Sequence, residues 1–111
     1  MDFEEARKQA LAFRDERDWE QFHNPKDLAI SISLEASELL ECFQWSGADL
    51  TAAAKREAMK EELADVLLYA TYMADALGAD IPGLMAAKIR KNAEKYPVEK
   101  SRGNSTKYTE L

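Results

Sequence analysis

Apolar residues recur at helical spacing in four stretches of the chain, and polar residues fill the faces between them. Residues 2 to about 17 set Phe3, Ala6, Ala10 and Phe13 three or four positions apart, the period of an amphipathic helix. A second stretch runs from Pro25 to about Phe43, with Leu28, Ile32, Leu39 and Phe43 on one stripe. The third and longest, reaching about Leu77, carries Leu63, Val66, Leu67, Ala70, Met73, Ala74 and Leu77 as its inward face. A fourth opens at Ile81-Pro82 and should stop near Tyr96, because Pro97 cannot easily continue a helix. Asn24 is suited to cap the second helix, with Pro25 in its first turn, and Thr51 to cap the third. Gly78 is a natural stop. Val98 to Leu111 has no periodicity and reads as an extended tail. Strand patterns and internal repeats are absent, so the expected fold is all-α: four helices with a C-terminal tail, in one domain spanning 1–111.

Four acids stand out against this pattern. Glu35 and Glu38 are three apart on the second helix, and Glu62 and Asp65 are three apart on the third. Residues at that spacing share a helix face, so each pair is a patch of two like charges. Glu35 also interrupts the stripe of Leu28, Ile32 and Leu39, where an unpaired carboxylate is costly unless a cation or strong donor meets it. One alternative is a pair of solvated faces, salt-bridged to Lys26, Lys55 or Lys60. The other is a metal site. Ligand chemistry then narrows the ion: the only histidine, His23, lies in a connector, no Glu-x-x-His occurs, and an all-oxygen set suits Mg2+ or Mn2+ better than zinc or a di-iron centre.

Composition adds a compartment and a charge map. One cysteine, Cys42, in 111 residues leaves no internal disulfide and points to a reducing, cytoplasmic setting. No apolar run is long enough to span a bilayer, so no membrane partner is expected. The net charge of -6 argues against general nucleic-acid binding. It is unevenly spread: Lys88 to the end holds seven basic and three acidic residues, whereas the first 87 residues carry -10. An acidic body could supply metal ligands and a basic last quarter could meet phosphates.

The connector Trp19-Glu20-Gln21-Phe22-His23-Asn24-Pro25 is the second candidate for chemistry. Trp19, Phe22 and His23, with Trp45 after the second helix, could wall a pocket for a flat base, or could simply close the ends of the helices. No Gly-rich phosphate loop or Ser-His-Asp set occurs, so a side-chain nucleophile has no support.

Taken in order, these stretches resemble a family. Glu16-Arg17-Asp18-Trp19-Glu20-Gln21-Phe22-His23, Phe43-Gln44-Trp45, Glu61-Glu62-Leu63-Ala64-Asp65-Val66-Leu67-Leu68-Tyr69, Lys95-Tyr96-Pro97-Val98, and Ser101-Arg102-Gly103 through Lys107-Tyr108-Thr109 are similar to the MazG-like all-α nucleoside triphosphate pyrophosphohydrolases, most of all their dCTP pyrophosphatase branch. The resemblance implies a four-helix MazG-like bundle that binds magnesium through Glu35, Glu38, Glu62 and Asp65. It implies hydrolysis of a (deoxy)nucleoside triphosphate, dCTP or a modified dCTP foremost, to the monophosphate and pyrophosphate. Apart from the resemblance, a carboxylate not fully used as a ligand could take the proton from the attacking water; Glu38 is expected in that role, with Glu62 as the second catalytic carboxylate. The base pocket would take Trp19, Glu20, Gln21, Phe22, His23, Trp45 and Tyr69. Lys88, Asn92, Lys95, Tyr96 and Arg102 would contact the phosphates. A homo-oligomer, dimer or dimer of dimers, is also implied. The animal members carry a histidine where this chain has Ala10, a change expected to loosen base discrimination. A competing expectation of another class is a non-catalytic helical oligomeric module that offers its acids to a partner.

Overall fold

The computed structural model describes residues 1–111, and all of its regular structure is helical. Four long helices, α1 (Phe3–Glu16), α2 (Pro25–Glu41), α3 (Arg56–Ala76) and α4 (Ile81–Lys95), are followed by one turn of helix, α5 (Val98–Ser101). The backbone groups into two compact units, Met1–Gly78 and Ala79–Leu111.

Local chemistry sets most of the boundaries. Asp2 and Glu5 form a reciprocal capping box at the start of α1. Asn24 accepts from the Asp27 amide at the start of α2, with Pro25 in the first turn, as the sequence implies. After α3, Gly78 takes φ +67 and its amide donates to the Asp75 carbonyl, the left-handed stop that glycine adopts without strain. Asp80 caps α4 through the Gly83 amide.

Two expectations need correction. Thr51 does not cap the third helix. Asp49 Oδ1 instead accepts from the Thr51 amide and hydroxyl and from the Ala52 amide, so the loop consumes that hydroxyl. A 3₁₀ turn at Ala53–Lys55 then leads into α3 with no side-chain cap. The tail is not simply extended either. Beyond α5, a 3₁₀ turn at Tyr108–Glu110 sets the Tyr108 ring edge-on to Tyr96 at 5.9 Å and beneath the Lys95 ammonium at 4.8 Å. Aromatic and cation–π contacts therefore fold the end of the chain back on the end of α4.

Within Met1–Gly78, α2 packs along α3 and α1 also packs on α3. Leu28 and Tyr69 line one hollow, while Glu35 and Glu38 meet Glu62 and Asp65, so the α2–α3 pair runs antiparallel. The core joins Ala10, Leu28 and Tyr72, flanked by Leu11, Tyr69 and Met73. The Tyr72 hydroxyl donates to the Ala10 carbonyl at 3.1 Å, which ties α3 to α1. Beside it lies Arg14, only 5% exposed, whose guanidinium reaches Asp75 and Asp15 at 2.8 Å each and Glu20 at 3.6 Å. Burial works against that charge, but hydrogen bonds to Asp75 and Asp15 outweigh it and hold the arginine protonated. The core is thin: Leu28 is the largest fully buried side chain, while Leu63, Leu67 and Leu77 on the apolar stripe of α3 are about half exposed or more. The helical period predicts an apolar face there, and the Met1–Gly78 unit covers it only in part.

Candidate functional site

The four acids of the two helical pairs converge. One oxygen from each of Glu35, Glu38, Glu62 and Asp65 lies within 4.8 Å of all the others. Glu35 Oε2 and Glu62 Oε2 are buried with no hydrogen-bond partner. The ion pairs of the chain do not involve these four groups; Lys60, a possible partner by sequence, pairs with Glu57 at 3.1 Å. None of Lys26, Lys55 and Lys60 pairs with these acids.

Electrostatics record the crowding. Glu35 is pushed up to about 7, first by burial, then by its hydrogen bond to Glu38 and by the charges of Glu38, Asp65 and Glu62. Glu62 is raised by hydrogen bonding to Glu38, then by burial and by Glu38, Asp65 and Glu61. Tyr69, one turn beyond Asp65, is raised by burial and then by Glu35, Asp65 and Glu38. Four carboxylates that cannot all ionise comfortably, two with an oxygen sealed away from water, form a donor set suited to a hard divalent cation.

Beside the acids a cavity of about 280 Å³ opens between α2, α3 and the connector, lined by Trp19, Phe22, His23, Asp27, Leu28, Ser31 and Tyr69. Trp19, a connector residue, meets Phe13 edge-on at 5.7 Å, and its amide donates to the Arg14 carbonyl. His23 packs on Tyr72 at 4.9 Å between ring centres and edge-on to Tyr69 at 6.3 Å. Its Nδ1 is buried without a partner, and burial, followed by the Arg14 charge, lowers its pKa, so it is neutral near pH 7.

Of the base-pocket residues expected from sequence, Trp19, Phe22, His23 and Tyr69 share this cavity. Glu20 and Gln21 do not line it: Glu20 turns to Arg14, and Gln21 donates to the Asp18 carbonyl and carboxylate. Trp45 is 90% exposed and borders a different hollow with Glu41, Cys42, Ser46 and Asp49. Ala10 borders neighbouring grooves along α1, with Ala6 and Leu68, and does not line the connector cavity. Sequence reasoning misses Asp27 and Ser31. They precede Glu35 by eight and four residues on the same helix, a signal that the capping role of the first turn of α2 obscures.

The expected phosphate contacts belong to the unit Ala79–Leu111. Lys88, Asn92 and Lys95 recur at i, i+4 and i+7 along α4; Tyr96 caps that helix, donating its amide to the Asn92 carbonyl; Arg102 ends α5.

Comparison with known proteins agrees with this geometry. Residues 30–111 match the model of the MazG-like family. The chain is 40% identical to dCTP pyrophosphatase 1 of Rattus norvegicus and of Mus musculus over 113 residues, covering 97% of this chain and 66% of each relative. The Homo sapiens protein of the same name is 39% identical with the same coverage. Among solved structures, a pyrophosphatase from Archaeoglobus fulgidus superposes with a TM-score of 0.76 at 40% identity, over 85% of this chain and 91% of that one. The chain thus spans 66% of the length of these rat, mouse and human relatives. With the paired acids meeting across two antiparallel helices and a family match that runs through the second pair to the C-terminus, the chain belongs to the MazG-like family.

Proposed function

We propose that the protein is a nucleoside triphosphate pyrophosphohydrolase that converts dCTP, or a modified dCTP, to the monophosphate and pyrophosphate. The observation that carries this reading is the convergence of Glu35, Glu38, Glu62 and Asp65, with buried oxygens left unpaired. The names of its relatives, dCTP pyrophosphatase and pyrophosphatase, support it. The four acids would hold magnesium, with manganese the next choice. Bound there, the metal supplies positive charge that offsets the clustered carboxylates and polarises phosphate oxygens.

The chain's own residues supply the rest. Glu38 is the exposed member of the cluster, and its carboxylate approaches Glu35 and Glu62 within 4.8 Å. We assign it to take the proton from the attacking water, with Glu62 as the adjoining catalytic carboxylate. The water oxygen bonds to a phosphorus of the α–β bridge, the bridging P–O bond breaks, and the two products separate. Trp19, Phe22, His23 and Tyr69 hold the base by stacking, worth roughly 1–3 kcal/mol for the base. Trp45 offers a further exposed stacking face, and Glu20 and Gln21 stay assigned to the base on resemblance alone. Lys88, Asn92, Lys95, Tyr96 and Arg102 are assigned to the phosphates because the last quarter of the chain concentrates positive charge.

Residues 1–111 act, on this reading, as one domain with 97–111 as its tail, since the family match crosses the boundary at Gly78. The half-exposed apolar faces, among them Phe3, Leu67 and Leu68 around one groove on α1 and α3, support a homo-oligomer, a dimer or dimer of dimers. No helix is long and apolar enough to cross a membrane. The free, buried Cys42 goes with a cytoplasmic setting.

The test is product chromatography after incubation with each dNTP, in magnesium and in excess EDTA. Magnesium-dependent dCMP and pyrophosphate from dCTP is the expected outcome. Formation of dCDP and phosphate, or no turnover of any nucleotide, would overturn the reading.

A further inference from the structure

Among the residues lining the aromatic cavity, Asp27 is the one acid, and no lysine or arginine shares the lining. Its carboxylate is held in place: Oδ2 accepts from the Asn24 side-chain amide at 2.7 Å, and the Asp27 backbone amide donates to Asn24 Oδ1 at 2.9 Å. Oδ1 receives no hydrogen bond from the protein. Ser31, one turn further along α2, adds a hydroxyl to the same wall, and Glu35 follows one turn after that. The rise of an α-helix separates Asp27 from Glu35 by about 12 Å along the axis. A nucleotide with its phosphates at the acids and its ring between Trp19, Phe22 and Tyr69 would bring the far edge of that ring to Asp27.

An ionised carboxylate only accepts hydrogen bonds. The ring edge that satisfies it must therefore donate. Cytosine presents an exocyclic amino group at C4, whereas uracil and thymine present a carbonyl oxygen there, which would face the carboxylate with no proton between them. The rings of the cavity favour any flat base; the carboxylate does not. We propose that Asp27 is a specificity-determining residue that selects a 4-amino pyrimidine over a 4-oxo pyrimidine, pre-oriented for that contact by Asn24. The assignment rests on the reading of this cavity as the base pocket, and it adds a residue and a rule of discrimination to it.

A binding measurement keeps the test separate from hydrolysis. Calorimetry with α,β-methylene dCTP and α,β-methylene dUTP, in magnesium, is run on the wild-type protein and on Asp27→Asn. The amide keeps the size of the side chain and a partner for Asn24, but can turn an N–H toward a carbonyl. Asp27 is exposed, so the wild type should favour the cytosine analogue by about tenfold or more, the scale of one hydrogen bond to a charged group. Asp27→Asn should bring the ratio below about threefold. An unchanged ratio in the variant, or no preference in the wild type, would overturn the assignment. Binding of N4,N4-dimethyl-dCTP by the unmodified protein is a second check that does not depend on the variant folding: this base keeps the ring but loses both donors, and affinity equal to that for dCTP would also refute the role of Asp27. A collapse of the ratio in a protein that cleaves no triphosphate would leave Asp27 as the selector and remove only the hydrolase reading.

Discussion

Replacing Glu35 by glutamine should stabilise the metal-free protein, and the effect should vanish in acid. Folding lifts the carboxyl from its ordinary 4.5 to about 7, because burial and three neighbouring acids oppose its charge. An acid whose pKa rises on folding binds its proton more tightly in the native state. Its contribution is therefore most favourable below about pH 4.5 and is lost as pH climbs through 7. At 1.36 kcal/mol per unit the whole rise corresponds to about 3 kcal/mol at pH 8. Glu35 is only half-buried, so solvent screening brings the expected effect down to about 1–2 kcal/mol. Glutamine removes the charge, keeps the shape and can donate to Glu38. In EDTA at pH 8, Glu35→Gln should raise Tm by about 5–10 °C for a domain of this size, measured by circular dichroism at matched protomer concentration. At pH 4.5 the two proteins should melt together. Adding magnesium should stabilise the wild type more than the variant, because the variant has lost a ligand. A lower Tm for Glu35→Gln at pH 8 in EDTA would mean that Glu35 already has a favourable partner, and the argument for a cation site would fail with it.

Other expectations follow from the same geometry. Glu62→Gln should abolish dCTP turnover while retaining the helical circular dichroism of the wild type; loss of helicity, or activity within tenfold of wild type, would count against a catalytic role. Magnesium affinity, read by calorimetry, should strengthen as pH rises from about 5.5 to 8, since Glu35 must release its proton through about 7 before the four acids can act together; a flat profile would separate the site from Glu35. Tyr72→Phe strips the buried hydroxyl from the Ala10 carbonyl and should lower stability by about 1–2 kcal/mol in urea titrations, and no change would place that contact outside the energetics of the core.

The helices and the paired acids were legible because both depend on local chemistry. Asn24-Pro25, Gly78 and Pro97 mark boundaries through backbone constraints that act within a turn, and i, i+3 spacing puts two acids on one face wherever a helix forms. That the two pairs meet follows from the antiparallel register of α2 and α3, which spacing does not encode. Thr51 failed as a cap because Asp49, two residues away, competes for the same hydroxyl and amide. The folded tail depends on Tyr108 reaching Tyr96 and Lys95 across a dozen residues, and no periodicity announces such a contact. Asp27 reads as an ordinary first-turn acid until the cavity beside it is seen. Arg14 is the hardest case: it sits in a charged run of α1, yet it is nine-tenths buried because Asp75, sixty-one residues away, supplies its countercharge.

The α2–α3 seam holds opposite physics at its two ends. Toward the start of α2, Leu28 and Tyr72 exclude water, and the hydrogen bond from Tyr72 to Ala10 draws α1 onto the same core. Toward its end, four acids face one another with two unpaired oxygens, an arrangement that pushes the helices apart. A seam built for stability alone would have continued the leucine stripe through position 35. That it does not, in a unit whose largest fully buried side chain is a single leucine, means that the repulsion is tolerated in a fold with little stability in reserve. Such a conflict between local packing and local chemistry persists where function requires it. A cation between the acids turns the repelling end into a cross-link, so metal occupancy and the rigidity of the cavity one turn away should rise together. Tyr69 is the residue through which they would do so: it stands one turn beyond Asp65, feels the charges of Glu35, Asp65 and Glu38, and forms a wall of the cavity. On the proposed reading, the base site and the phosphate chemistry would be coupled through a single turn of α3.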